Sequence, residues 1–525
     1  MLSALDFQSV APSAPRDPGR SDVACFVGWV ARRPGRPVPD GVRAGLEAGG
    51  WIGGPWARDE GGIDSLHQLP VTCDSWDVFD QLFDWNARPV GEGSPERGAT
   101  WLGAAVRSFF ACGGRSAVVI RVGDPWPFTG TASGEEVRLA RLGAVIPAAG
   151  PDPRPFDPTD PSTWVGIEHL FGLPEVSHLC LPDLAEILAA EPVPLRLDDP
   201  PPPPPEVFVP CSVEPPPLPD DRGMRSVAAP RLDAEGYAAW GLAVGRVCDF
   251  LSVRRRDALL VTSLPIPTAA PAPAASASAE DDFTGATDWL GLFESVGALR
   301  RDPPGSASAF VQMVWPWIAT TEASDLPEGL EPPEGLFAGV LARNALEQGT
   351  YRSVAGTRLP SVVRESPALD RGLGPDSPTV LLGERVSLIG PEPDGMTILS
   401  DVTAAPDEDW RPGGVSRLVA SLLRRARRVG EAETFDLNGP ALWGRLRRAM
   451  ETVLEDHYRA GALRGVTPAE AFTVRCGPDT TAQNDLDAGR VRVEVSVLPA
   501  VSVERIVVSL ELVPGATDLR SVEVV

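Results

Sequence analysis

The sequence contains no lysine, and all 47 basic residues are arginines. This absence excludes a nucleotide-binding P-loop, whose lysine contacts the terminal phosphates. Acidic residues number 72, so the formal net charge is −25 at pH 7. Because this excess of negative charge repels phosphates, we expect neither a nucleic-acid partner nor binding to an anionic membrane.

Histidine and cysteine are also scarce. Four histidines are present, His67, His169, His178 and His457, and none lies in an H-E-x-x-H pattern. The seven cysteines are odd in number, widely spaced and form no C-x-x-C pair, and the sequence has no G-x-S-x-G nucleophile elbow. We therefore expect no metal, no cofactor, no disulfide framework and no enzyme activity. A hydrolase built on an α/β core is the alternative from a different class.

Long apolar runs are missing as well. The longest, such as SAVVIRV and RIVVSLELV, have the length of strands and are too short to cross a bilayer. The first 17 residues lack the basic start and apolar run of a signal peptide. Basic residues that are all arginine are typical of a GC-rich bacterial genome. Together these features predict a protein of the bacterial cytoplasm.

Proline and glycine, in contrast, are abundant, at 57 and 52 of 525 residues. This length predicts several domains, and the prolines indicate long connections between them. We expect an arm (1–20), the first part of a core domain (21–129), a proline-rich surface insert (130–225), a central α/β domain (226–410) with a linker at 268–282, a C-terminal α+β domain (411–513) and a second arm (514–525).

The stretch AVRSFFACGGRSAVVIRVGDP contains a glycine pair that raises the question of a ligand-binding loop. In a dinucleotide-binding fold, the order is strand, glycine-rich turn, helix. Here an amphipathic run comes first, the glycines follow, and the strand comes last. The order predicts a helix that ends at Gly113 or Gly114 in a left-handed conformation and turns into a strand.

The C-terminal third has the clearest periodicity. Two amphipathic helices are predicted, the second with Asn438 as its N-cap, Pro440 in its first turn and its end at Gly461. Two alternating strands follow, RVRVEVSV and RIVVSLEL, which we expect to pair with each other antiparallel.

Arginines are concentrated in the same region, where residues 411–470 carry eleven arginines against seven acidic residues. Two interpretations stay open. One is ordinary pairing on helix surfaces at i, i+4 spacing, such as Arg447 with Glu451. The other is a basic surface for an acidic partner, formed by Arg424, Arg425, Arg427, Arg428, Arg445, Arg447 and Arg448.

Several motifs resemble those of contractile tail sheath proteins, found in phage tails and phage-tail-like injection systems. They are the paired phenylalanines that run through Gly-Gly-Arg into a valine-rich strand, the central segment PPEGLFAGVLARNALEQGTYRSVAG, and, near the C-terminus, N-x-P-x-L-W, G-A-L-x-G, T-P-x-E-A-F and D-x-G-R. The resemblance covers roughly 20–125 and 305–515. It implies a subtilisin-like α/β core joined to a C-terminal α+β sheath domain.

The resemblance also implies a function. Subunits would form six-membered rings that stack around an inner tube and contract to drive the tube through a target envelope, with baseplate and terminator or cap proteins as further partners. The C-terminal domain, with the seven arginines above, would face the tube. A paralogue at the baseplate end is the alternative within this class.

The two arms are predicted to pair with neighbouring subunits as added strands. Both alternate apolar and polar residues, and donated strands would cover the exposed edges of a small C-terminal sheet. The residues expected to serve this role are Leu2, Leu5, Phe7, Val10, Leu519, Val522 and Val524.

Overall fold

The computed structural model of this chain describes residues 20–52, 61–130, 134–151, 156–189, 224, 227–268, 308–369, 382–433, 436–481, 484 and 490–500, and the backbone of 508–511 and 520–523. The helices are α1 (Asp40–Ala48), α2 (Gly61–Ser65), α3 (Trp76–Leu82), α4 (Trp101–Ala111), α5 (Glu135–Val145), α6 (Leu184–Ile187), α7 (Ala234–Arg254), α8 (Glu334–Glu347), α9 (Gly413–Ala432), α10 (Pro440–Arg459) and α11 (Pro468–Ala471). Within the described residues, none of them is long and apolar enough to span a membrane.

The strands follow the same numbering in chain order. They are β1 (Val23–Trp29), β2 (Ala31–Arg32), β3 (Pro70–Cys73), β4 (Phe83–Asp84), β5 (Arg88–Pro89), β6 (Arg97–Gly98), β7 (Ser116–Gly123), β8 (His178–Cys180), β9 (Arg231–Leu232), β10 (Leu259–Ser263), β11 (Ile266–Pro267), β12 (Val311–Trp315), β13 (Trp317–Thr320), β14 (Val362–Ser366), β15 (Ser387–Glu392), β16 (Gly395–Ile398), β17 (Phe472–Cys476), β18 (Val493–Val497), β19 (Val508–Glu511) and β20 (Arg520–Glu523).

Eight of these strands form one large sheet, in the order β16-β15-β12-β10-β8-β1-β7-β3. The six strands from β15 to β7 are parallel, and the two edge strands, β16 and β3, are antiparallel to their neighbours. Every residue of β1 is buried, because a parallel sheet is covered by helices on both faces. The α/β class expected from the sequence is confirmed.

The joint between α4 and β7 explains the glycine pair. After α4 ends, Gly113 adopts a left-handed backbone with φ of 101°. The amide of Gly114 donates to the carbonyl of Phe109 (3.0 Å). These contacts close the helix and direct the chain into β7, so the predicted helix end is confirmed and the glycines do not form a phosphate loop.

Helices α4 and α8 cross at unusually short range, because two glycines of α8 have no side chain in the interface. A Cβ atom built on Gly335 would lie 2.3 Å from the carbonyl oxygen of Ala105, and one built on Gly339 would lie 2.4 Å from that of Phe109. Backbone therefore packs directly on backbone, and this helix pair covers β1, β8 and β10.

The region expected to be a surface insert supplies a central strand. Strand β8 pairs with β1 on one side and β10 on the other. Leu179 within it is buried, as are Trp164 and Leu170, which precede it in the chain. The prediction of a surface-exposed insert at 130–225 is therefore wrong for residues 156–189, while residues 190–223, with their run of six prolines, lie outside the described part of the chain.

The C-terminal region contains the two predicted helices, α9 and α10. A small core of its own joins them to α11 and β17, built from Leu418, Leu422, Leu454, Leu463 and Ala471. The N-cap of α10 is Gly439, so the prediction of Asn438 is wrong. The side-chain oxygen of Asn438 instead accepts a hydrogen bond from the indole of Trp443 (2.9 Å).

Strand pairing in this region also differs from the expectation. RVRVEVSV contains β18, which pairs antiparallel with β17, and RIVVSLEL contains β19, which pairs antiparallel with β20 near the C-terminus. The predicted pairing of the two segments with each other is therefore wrong. Since all of these strands alternate in the same way, the pattern alone does not distinguish one partner from another.

Candidate assembly surfaces

The arginines of α9 divide into buried and exposed groups. The side chain of Arg424 is 2% exposed. It donates to the backbone carbonyl of Asp257 and to the hydroxyl of Ser21 (2.8 Å). Arg424 thus does not lie on a surface, which corrects the exposed position that the charge pattern suggested.

Asp257 brings three arginines together at this point. Its carboxylate accepts hydrogen bonds from Arg255 (3.0 Å) and from Arg427 (3.1 Å). Its backbone carbonyl accepts the hydrogen bond from Arg424. Burial lowers the pKa of Arg424 to about 10, and the nearby charges of Arg255 and Arg427 add to this effect. The cluster anchors α9 to the core ahead of β10.

A second buried cluster, which the sequence did not reveal, holds the start of α9. Arg417 donates to both carboxylate oxygens of Asp401, at 2.9 and 2.6 Å. The amide of Gln312 on β12 donates to the same carboxylate (2.6 Å). Burial raises the pKa of Asp401, but the contacts with Arg417 outweigh it and hold that pKa below its usual value.

The remaining arginines form the exposed basic surface of this region. Arg425, Arg427, Arg428, Arg447 and Arg448 are exposed. Arg447 forms the predicted i, i+4 pair with Glu451 (3.7 Å). Arg445 is half-buried and pairs with Glu433 (2.9 Å) and Asp436. Pairing on helix surfaces therefore applies to Arg445 and Arg447, whereas contact of the exposed arginines with an acidic partner stays a prediction.

The two arms lie largely outside the described residues. Leu2, Leu5, Phe7, Val10, Leu519 and Val524 are not described, and Val522 lies opposite Ser509 in the β19–β20 hairpin. In the two-stranded β17–β18 sheet, each strand has one edge to which no strand of the described chain is hydrogen-bonded. These edges offer unpaired backbone groups to an added strand.

Two of the four histidines are buried in the core. His169 is buried, and its two ring nitrogens lie 2.9 Å from the carbonyl oxygens of Gly166 and Gln68. His178 is buried in β8, and burial, with Arg417 and Arg424 nearby, lowers its pKa to about 3. Within the described ranges, no cluster of three or more histidine, cysteine or acidic side chains could hold a metal ion.

Three acidic residues are buried near the helices that cover the sheet, and none of them has an ion-pair partner among the described residues. Asp183 accepts from the amide of Trp29 (3.0 Å), Glu334 from the amide and hydroxyl of Ser263 (2.7 and 2.8 Å), and Glu331 from the hydroxyl of Ser108 (2.9 Å). Burial raises the pKa of Asp183 to about 8 and those of Glu331 and Glu334 to about 7.

Comparison with solved structures gives matches over nearly the whole chain. A chain of the contracted anti-feeding prophage (AFP) baseplate has a TM-score of 0.57 and 18% identity, covering 99% of this chain and 100% of its own. A chain of the six-fold symmetrised AFP baseplate has a TM-score of 0.54 and 17% identity, covering 98% of this chain and 99% of its own. A chain of the contracted AFP helical sheath has a TM-score of 0.51 and 16% identity, covering 97% of this chain and 100% of its own.

No protein-family profile matches the sequence, and no curated protein does. The structural likeness nevertheless defines a class: the chain has the fold of proteins in contractile sheath and baseplate assemblies. The resemblance seen in the sequence motifs is thereby confirmed for the fold.

Proposed function

We propose that this chain is the structural subunit of a contractile sheath, assembled as stacked six-membered rings around an inner tube. The observation that carries the proposal is the match to a chain of the AFP helical sheath over 97% of this chain and 100% of that one. The mainly parallel eight-stranded sheet also supports the subtilisin-like core that the sequence resemblance implies. Work is done by repacking subunit interfaces, and baseplate, tube and cap proteins are the partners.

Negative-stain microscopy of the purified protein tests this function. Long striated tubes are the expected result. Discrete particles with hydrolase activity would overturn the proposal and favour the alternative class.

A sheath paralogue confined to the baseplate end is the second candidate. Two of the solved structures that resemble the chain are AFP baseplates, at TM-scores of 0.54 and 0.57. Gold labelling of this subunit on intact particles separates the two candidates. Label along the whole tail supports the main sheath subunit, and label at one end supports the paralogue.

The exposed arginines of α9 and α10 are proposed to face acidic groups on the inner tube. Replacing Arg448 with glutamate should weaken the association of sheath with tube about tenfold near 0.1 M salt, since like charges then oppose each other. Co-sedimentation with purified tubes at rising salt measures the effect. Arg459, exposed at the other end of α10, provides the control, Arg459→Glu. A map of the particle with Arg448 on its outer surface would contradict the proposal.

Both arms are proposed to join neighbouring subunits by strand addition. Removal of residues 1–10, or of residues 515–525, should abolish polymerisation and leave a folded monomer. The second truncation also removes β20, the partner of β19 within the chain. Sedimentation velocity, with circular dichroism to confirm folding, measures the result. Sheaths of normal length from either variant would show that the arms are dispensable.

A further inference from the structure

A cavity of about 270 Å³ lies where four parts of the chain meet: its first described residues, the end of α8, α9 and α10. The walls are mainly apolar and include Leu346, Tyr351 and Ala460. Tyr351 donates a hydrogen bond to the carbonyl of Ala460, which joins two of the walls. An apolar cavity of about 150 Å³ accommodates a benzene ring, so this space is sufficient for an aromatic side chain.

One side of the cavity carries a cation for which the described residues supply no ion-pair partner. Arg425 lines the space and is exposed. Within the described chain, it forms no ion pair and no side-chain hydrogen bond, even though Asp456 lines the same cavity. The other arginine in the wall, Arg20, is already paired with Asp22 (2.8 Å). The cavity therefore favours an occupant that combines an apolar group with a negative charge.

The N-terminal segment leaves the described structure at the cavity wall. Arg20 and Ser21 both line the cavity. Ser21 is held in place by the bond from Arg424 (2.8 Å). The chain that precedes Arg20 therefore starts beside the cavity.

We propose that the segment Leu2–Val10 of the same chain docks in this cavity in the free subunit, with Phe7 in the apolar interior and Asp6 beside Arg425. Asp6 and Phe7 are adjacent in the sequence and match the two requirements of the site. The 13 residues from Phe7 to Arg20 span up to about 43 Å when extended, which is ample for a return path. A tethered segment also has an effective concentration of about millimolar.

Docking has a consequence for assembly. The same segment is proposed to pair with a neighbouring subunit in the sheath, and it cannot occupy both places at once. Docking would therefore hold the free subunit out of polymerisation until a neighbour offers a sheet edge. This consequence rests on the proposed function, whereas the docking itself does not.

Isotope-resolved disulfide cross-linking of the full-length protein tests the docking. Equal amounts of ¹⁴N-labelled and ¹⁵N-labelled protein carrying Phe7→Cys and Leu346→Cys are mixed at low concentration, oxidised and analysed by mass spectrometry. We expect peptides that contain positions 7 and 346 to be linked, with both members light or both heavy. Mixed light–heavy pairs would overturn docking within one chain in favour of a second copy, and no linked pair would overturn docking altogether.

Two further variants keep the test specific. Pairing Phe7→Cys with Leu242→Cys, an exposed position on α7 outside the cavity, should give little product. Adding Arg425→Glu to the original pair should reduce the yield at least about fivefold, because an attraction of roughly 1 kcal/mol is lost. Arg425→Lys, which keeps the positive charge, should leave the yield unchanged. An unchanged yield with Arg425→Glu would refute the role of Asp6. Cross-linked monomers should form no tubes, because the disulfide keeps the segment docked. Monomers that still form no tubes after the disulfide is reduced would leave the docking intact and count against the sheath function alone.

Discussion

Replacing Arg417 with methionine is expected to lower the free energy of unfolding by about 3–5 kcal/mol, because it leaves a buried carboxylate without its cation. The side chains of Arg417 and Asp401 are 3% and 0% exposed. Arg417 also donates to the carbonyl of Thr350 (3.0 Å), so the substitution breaks several bonds at once. Urea unfolding followed by tryptophan fluorescence measures the change.

Two comparisons give this result its meaning. Arg358→Met removes an ion pair with Asp394 whose side chains are 62% and 71% exposed, and such pairs contribute at most about 1 kcal/mol. Adding Asp401→Leu to Arg417→Met should restore part of the loss, since the unpaired charge is then gone. Equal effects of Arg417→Met and Arg358→Met would show that the buried pair does not stabilise the fold.

Stability should fall as the pH rises from about 5 to 8, through the buried acids Asp183, Glu331 and Glu334. Their folded-state pKa values of about 8, 7 and 7 lie above the unfolded values of about 4. The folded chain therefore holds protons that the unfolded chain has already released. Each such group lowers the free energy of unfolding by up to about 1.4 kcal/mol per pH unit until the pH reaches its folded-state pKa. The two glutamates therefore stop contributing near pH 7 and Asp183 near pH 8.

Asp183→Asn isolates one of these groups. The side-chain amide of the asparagine can still accept a hydrogen bond from the backbone of Trp29, and it does not titrate. The fall in the free energy of unfolding between pH 5 and 8 should therefore become shallower by the contribution of one titrating group. Urea midpoints at several pH values provide the measurement. Asp401→Asn is the opposite control, since its carboxylate is stabilised in the folded state and its loss should be costly throughout this range. An Asp183→Asn profile that parallels the wild type would disprove a neutral Asp183.

Local patterns in the sequence predicted the helices well. Helix α10 begins at Pro440 and ends at Arg459, close to the span that the apolar stripe and Gly461 indicated. The end of α4 at the glycine pair was equally readable. Both features depend on neighbouring residues, and their physical causes therefore lie within a few residues of each other in the sequence.

Features that depend on distant contacts were not readable. Strand β8 has three residues in a proline-rich region, too few for a periodic signal, and only β1 and β10 on either side make it a strand. Arg417 and Arg424 look like any other arginine on an amphipathic helix. Their burial depends on Asp401 and on the backbone of Asp257, and no local pattern links these positions to α9.

The glycine contacts between α4 and α8 bear on how such a fold tolerates change. Main chain packs on main chain at Gly335 and Gly339, so backbone atoms limit how closely the two helices approach at these points. A larger residue at either site would meet a carbonyl oxygen of α4 and would have to displace a helix of the layer that covers β1, β8 and β10.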